Sequence, residues 1–172
     1  FEAAANQTSG FCNTIVGSCA GKNLCCGQNN VAIGQRAGTG FGNGCGNTAI
    51  GRDAMYFFGG SHSTAVGYGA LRNSCACFNT AVGGYALCAV NSGQCNTALG
   101  HRAGRAQSTA VGMTAIGAFA LQNGNMNGAT AVGDQAGCAA TVSYVTAVGA
   151  CALKCLTSGA GNTALGSGVL CA

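Results

Sequence analysis

The stretch STAVGMTAIGAFAL, residues 108–121, contains the phrase Thr-Ala-aliphatic-Gly twice, ending once at Gly112 and once at Gly117. Which copy belongs to the chain's pattern decides the fold. Nine-residue blocks of the same kind begin at residues 13 (NTIVGSCAG), 30 (NVAIGQRAG), 47 (NTAIGRDAM), 63 (STAVGYGAL), 79 (NTAVGGYAL), 96 (NTALGHRAG), 129 (ATAVGDQAG), 145 (VTAVGACAL) and 162 (NTALGSGVL). With Gly117 as the tenth central glycine, after Gly17, Gly34, Gly51, Gly67, Gly83 and Gly100 and before Gly133, Gly149 and Gly166, every step is 16 or 17 residues. Gly112 would give steps of 12 and 21. MTAIGAFAL therefore carries the register, and the first phrase is an echo inside a connecting segment.

A repeat of 16 or 17 residues is too short for a helical repeat unit, which needs about 33 or more. It fits one coil of a parallel β-solenoid, with short strands rich in Thr, Val, Ile and Leu joined by Asn/Ser/Gly turns. A second strand is expected around the Ala-Leu/Met/Gly pair that follows each central glycine. The predicted class is all-β, about ten coils, with residues 1–12 as an N-terminal extension and 13–172 as one repeat domain. Coils stack about 4.8 Å apart, so each position becomes a ladder.

Strand alternation puts two ladders on one face. One is threonine: Thr14, Thr48, Thr64, Thr80, Thr97, Thr114, Thr130, Thr146 and Thr163, with Val31 in the remaining coil. The other is aliphatic: Val16, Ile33, Ile50, Val66, Val82, Leu99, Ile116, Val132, Val148 and Leu165. Two placements of the aliphatic ladder stay open, the roll's own core or a core shared with neighbouring chains. The opposite face, Ala then Gly, suits a very thin interior or close approach of another sheet. Outer strand edges without caps invite end-to-end stacking.

Composition narrows the function. The chain of 172 residues has 31 Gly, 13 Cys, no Pro and no Trp, and 6% charged residues. Disordered chains are poor in apolar residues, whereas 48% of this one is hydrophobic. Every apolar run is interrupted well short of the ~18 residues of a membrane span, so membrane insertion is not expected. The seven Lys and Arg residues look scattered along the sequence, too sparse for nucleic-acid binding. Glu2, Asp53 and Asp134 are the only acids, which makes a catalytic carboxylate pair hard to build. His62 and His101 stand alone, and the Gly-x-Gly strings lack the strand-to-helix context of a phosphate loop. No catalytic residue, metal site or cofactor is expected.

Thirteen cysteines point to an oxidising, extracellular or surface location and to disulfides, since no Cys-x2-Cys metal spacing occurs. Cys77–Cys95 and either Cys138–Cys155 or Cys155–Cys171 are the candidate pairs. Cys12, Cys25, Cys26 and Cys45 form an unresolved group, and an odd count leaves at least one thiol free or bound to another chain. Asn6-Gln7-Thr8 is a glycosylation sequon.

The blocks NTAVGGYAL, NTAIGRDAM and STAVGYGAL resemble the head repeats of trimeric autotransporter adhesins and the NTAVGYxAL arrays of phage and large-virus fibre-like proteins. The resemblance spans residues 13–170 and implies a left-handed β-roll, three chains about an axis, serving as a rod or adhesive head. The period here is longer than in the adhesin heads, and the cysteine content is unlike theirs. The expected function is thus a structural subunit of a disulfide-stabilised surface fibre, self-associating as a homotrimer and end to end. The alternative is a fibre head that binds glycan or another surface through Tyr56, Phe57, Phe58, Tyr68, Tyr85, His101 and Phe119. Ice binding through the threonine ladder comes third.

Overall fold

The computed structural model describes residues 2–170; Cys171, one of the candidate disulfide partners, lies outside them. The described chain is a parallel β-solenoid. Its strands are β1 (Thr14–Val16), β2 (Val31–Ile33), β3 (Thr48–Ile50), β4 (Phe57–Phe58), β5 (Thr64–Val66), β6 (Asn73–Ser74), β7 (Thr80–Val82), β8 (Thr97–Leu99), β9 (Thr114–Ile116), β10 (Thr130–Val132), β11 (Thr146–Val148) and β12 (Thr163–Leu165). All but β4 and β6 form one ten-stranded sheet in chain order. The pairing is in register throughout, Ala over Ala and aliphatic over aliphatic, as at Ala65↔Ala81 and Val66↔Val82. We number coils one to ten by their strand in this sheet.

The strands are shorter than a generic solenoid suggests, three residues each. Their bonding extends one residue beyond each end: the Thr14 amide donates to the Asn30 carbonyl and the Gly34 amide to the Val16 carbonyl, both at 2.8 Å. The expected second strand does not form around the Ala-Leu pair. That segment is a series of turns, and the other pairing among the described residues is the two-residue β4–β6 ladder and a single parallel bridge, Ala106 to Asn123. The reason is local. In every coil the residues five and seven places after the strand's first residue have φ near +50°, for example Tyr85 (58°) and Leu87 (47°). A strand needs negative φ throughout, so alternating left-handed residues fold the segment into corners instead. In coils one to nine the corner is closed by the alanine amide bonding back to the central glycine carbonyl, as Ala86 to Gly83 at 3.2 Å.

The central glycine is required by its surroundings. Gly67 has φ +128°, and a Cβ there would lie 2.8 Å from the Gly83 carbonyl of the next coil. No L-side chain combines that backbone with that contact. Gly112 of the echo phrase lies in a turn, has φ +68°, and nothing lies within 4 Å of a Cβ built on it. It occupies a different column, two residues before a strand, alongside His62, Phe78 and Cys95, which also have positive φ.

The interior is narrow. Two alanine columns line it, one from the strands (Ala32, Ala49, Ala65 and onward) and one from the corners (Ala37, Ala54, Ala70 and onward), all fully buried in coils two to nine. Leu71, Leu87, Leu121 and Leu153 fill the gap between them. Where this column has glycine, a bulky neighbour takes the space: Gly104 faces Met113 and Leu87, and Gly137 faces Leu121. Ile15, the one non-alanine in the strand column, packs against the core from coil one.

An internal amide ladder runs beside the alanines. Asn30, Asn47, Asn79 and Asn96 immediately precede their strands and are fully buried. Each accepts the amide of the residue one coil on: Asn30 from Asn47 at 2.9 Å, Asn47 from Ser63 at 3.0 Å, Asn79 from Asn96 at 3.0 Å. Each also donates to a turn carbonyl of the next coil, such as Asn79 Nδ2 to Gly93 at 2.9 Å. Such bonds offset the large cost of burying an amide. In coils seven to nine Met113, Ala129 and Val145, all fully buried, replace the asparagines. Gln107 bridges the turns there, donating to the Leu121 carbonyl and accepting the Met126 amide.

Residues 4–9 add a partial coil over coil one, with the Ala4 amide on the Ala20 carbonyl and the Thr8 amide on the Cys25 carbonyl. The expected extension is therefore hydrogen-bonded to the repeat domain along part of its length.

Candidate functional site

Since the strand alanines point inward, the threonines and aliphatics point outward. The aliphatic ladder is not the roll's own core. Val16 is 56% exposed, Ile33 38%, Ile50 36%, Leu99 48% and Leu165 77%, and Val66, Val82, Ile116, Val132 and Val148 are half-buried by their rung neighbours. Beside it runs the threonine ladder, also half-buried or exposed. The result is a face two ranks wide, the ranks about 6.6 Å apart (two strand residues) and the rungs about 4.8 Å apart. Neither rank carries a charge.

The charged residues lie elsewhere, and together. Measured from the first strand residue of each coil, Arg52 is four places on, Arg36 and Arg102 five, and Lys22, Arg72, Arg105 and Lys154 eight. Residues that look scattered in the sequence thus fall into three columns on one edge of the solenoid. Asp53 and Asp134 occupy the same columns. At the N-terminal end the edge is neutralised: Lys22 pairs with Glu2, and Arg36 grips Asp53 with Nη2 at 2.9 Å and Nε at 2.7 Å. The Nε contact is close but poorly aligned, so Nη2 makes the directed bond. The Lys22 ammonium, hydrogen-bonded to Glu2, holds that carboxyl below its ordinary pKa.

Aromatic residues share the edge. Tyr56 lies under both Arg36 and Arg72, at 5.2 and 5.5 Å, and Tyr68 under Arg52 at 5.7 Å. Tyr68 meets Tyr85 edge-on at 5.0 Å, as His101 meets Phe119 at 5.5 Å. Tyr85 is held above its ordinary pKa, first by its hydrogen bond with Tyr68. Of the seven aromatic positions expected to face outward, Phe58 does not. It is 2% exposed and packs on Phe41 at 6.4 Å, because β4 alternates and turns only Phe57 outward.

Asp53 and Asp134 lie in coils three and eight. His62 stacks on Phe78 at 5.6 Å, nearly parallel. Among the described residues no cluster of three metal-ligating side chains and no pocket occurs.

The twelve described cysteines carry free thiols. Register places Cys77 opposite Gln94, and Cys138 opposite Lys154. Each candidate partner, Cys95 and Cys155, is thus one residue off the rung. Cys45, Ser61 and Cys77 share one column, the Cys45 amide donating to Ser61 Oγ and the Ser61 amide lying 3.3 Å from Cys77 Sγ. Cys12 is exposed. Cys25 and Cys26 are adjacent, with sulfurs 3.5 Å apart and Thr8 Oγ1 at 3.3 and 3.7 Å. Hydrogen bonds from Ser9, then Thr8 and Cys25, lower the Cys26 thiol pKa. Burial raises those of Cys88 and Cys138. Asn6 is exposed, and its amide donates to Asn23 at 3.2 Å. No protein-family profile, curated protein or solved structure matches the chain.

Proposed function

We propose that this chain is a structural subunit that associates side by side through its threonine–aliphatic face, as a homotrimer. Axial stacking through the outer strands β1 and β12 would extend it into a surface fibre. The observation that carries this reading is the aliphatic column itself. It is unbroken over ten coils, uncharged and turned outward, and a long exposed apolar stripe marks an interaction surface. Every copy carries the same stripe, so three chains can turn it toward one axis, each meeting the next through the heterologous contact of a closed ring. Thiols exposed at Cys12, Cys26, Cys75, Cys95 and Cys155 would supply covalent staples in an oxidising compartment.

The test is sedimentation and negative-stain electron microscopy of native protein and of Ile50→Lys/Leu99→Lys, with and without reductant. Trimers or filaments in the native protein, and folded single rods in the variant, are the expected result. Native protein that sediments as a monomer at high concentration refutes the reading. Loss of filaments in reductant assigns the staples to contacts between chains.

Ice binding is the second reading, favoured by the outward threonines stacked in register from coil to coil. It requires the face to stay open, so thermal hysteresis from monomeric rods would select it over self-assembly.

A further inference from the structure

The charged edge is distinct from the threonine–aliphatic face and asks for its own explanation. Its ion pairs are concentrated at one end, in coils one to three, where Glu2 and Asp53 occupy Lys22, Arg36 and Arg52. In coils four to six, Arg72, Arg102 and Arg105 have no carboxylate within ion-pair distance among the described residues. Arg72 and Arg105 stand in one column two coils apart, about 9.6 Å. Between them Cys88 is buried, leaving the two guanidinium groups as the projecting features of that column.

Two of these arginines are braced. Arg72 lies over the Tyr56 ring at 5.5 Å and Arg102 over Phe119 at 5.8 Å. A guanidinium already stacked on an aromatic face loses less freedom when it meets an anion. The neighbouring rings Tyr68, 45% exposed, and His101, exposed, offer flat apolar surface next to the charges. No enclosed pocket occurs among the described residues, so the surface suits an extended chain lying along the columns, across successive rungs, rather than a small molecule.

We propose that this edge, over coils four to seven, docks a linear anionic polysaccharide bearing sulfate or carboxylate groups. Arg72, Arg102 and Arg105 pair with its anions, and Tyr68, Tyr85 and His101 stack against its sugar rings. The spacing argues for a glycan over a nucleic acid. One cation column entry every two coils matches an anion on alternate sugars, whereas a DNA strand presents a charge about every 3.4 Å. The inference depends on the edge alone and stands or falls separately from self-assembly through the other face.

The experiment is titration calorimetry of the full chain with a heparin oligosaccharide across a salt series, compared with neutral dextran and with single-stranded DNA of equal charge. The native protein is expected to bind heparin, with log K falling against log salt at a slope of about −2 to −3, as three released counterions require. Arg72→Ala/Arg102→Ala/Arg105→Ala is expected to lower affinity about tenfold or more, while its circular dichroism and sedimentation match the native protein. Arg52→Ala, on an arginine already near Asp53, is expected to change affinity less than twofold. The proposal is overturned by no heparin binding at low salt, by a triple variant that binds as well as native protein, by equal binding of neutral dextran, or by tighter binding of DNA than of heparin. If the triple variant fails to fold, Arg72→Gln/Arg105→Gln replaces it, with the same loss expected.

Discussion

Asn79→Ala is the perturbation that most directly probes how the narrow roll holds together. Asn79 is fully buried. Its Oδ1 accepts the Asn96 amide at 3.0 Å and its Nδ2 donates to the Gly93 carbonyl at 2.9 Å. Alanine strands both partners, and both residues are buried. A buried polar group left unsatisfied costs about 1–3 kcal/mol, so the pair should cost about 4 kcal/mol. At about 2–4 °C per kcal/mol for a chain of this size, the midpoint should fall by about 8–16 °C. Repeat proteins unfold less than cooperatively, so hydrogen exchange should accompany melting, with the Asn96 amide losing protection first. Asn79→Ser should cost about half as much. Ser63 shows why: in the same column its Oγ accepts the Asn79 amide at 3.1 Å, retaining one of the two functions. A loss below about 1 kcal/mol, or an unchanged Asn96 exchange rate, would refute the ladder as a stabilising element.

Other consequences are as direct. Gly67→Ala, whose Cβ would meet the next coil's backbone at 2.8 Å, should cost about 3 kcal/mol or more, while Gly112→Ala, with open space around it, should cost about 1 kcal/mol; equal losses in chemical denaturation would contradict the register. Phe58→Ala should cost about 3–5 kcal/mol, and Phe57→Ala, at a site 61% exposed, less than about 1 kcal/mol. Pulse alkylation at neutral pH, read by mass spectrometry, should label Cys26 before Cys88 and Cys138. The lowered Cys26 pKa means more thiolate at that pH, and the raised pKa of the other two means less. The order should narrow as pH rises above all three values; labelling of Cys88 first would show that burial does not govern its reactivity.

Much of the fold was legible from spacing alone. Ten glycines at intervals of 16 or 17 residues, the first nine each followed three places on by alanine, leave few alternatives to a solenoid, and the observed strand register follows those glycines coil by coil. The sequence also put threonine and aliphatic residues on one face, because strand alternation allows nothing else. It could not say which face is inside. Hydrophobicity favours the valines and isoleucines, but the left-handed corners at Tyr85, Leu87 and their counterparts draw the walls together. The gap that remains admits Ala65, Ala81 and Leu87 and turns Val66 and Val82 outward. The buried asparagines were hidden for a similar reason. Asn before a strand reads as a turn residue, and only the stacked coils bring Asn79 within reach of both the Asn96 amide and the Gly93 carbonyl. The charged edge lay between these cases. Counting from each coil's strand aligns the arginines in the sequence itself, but which of them keep free guanidinium groups depends on side-chain contacts between coils. The period is a property of the chain, whereas inside and outside are set by the width of the roll once its corners have formed.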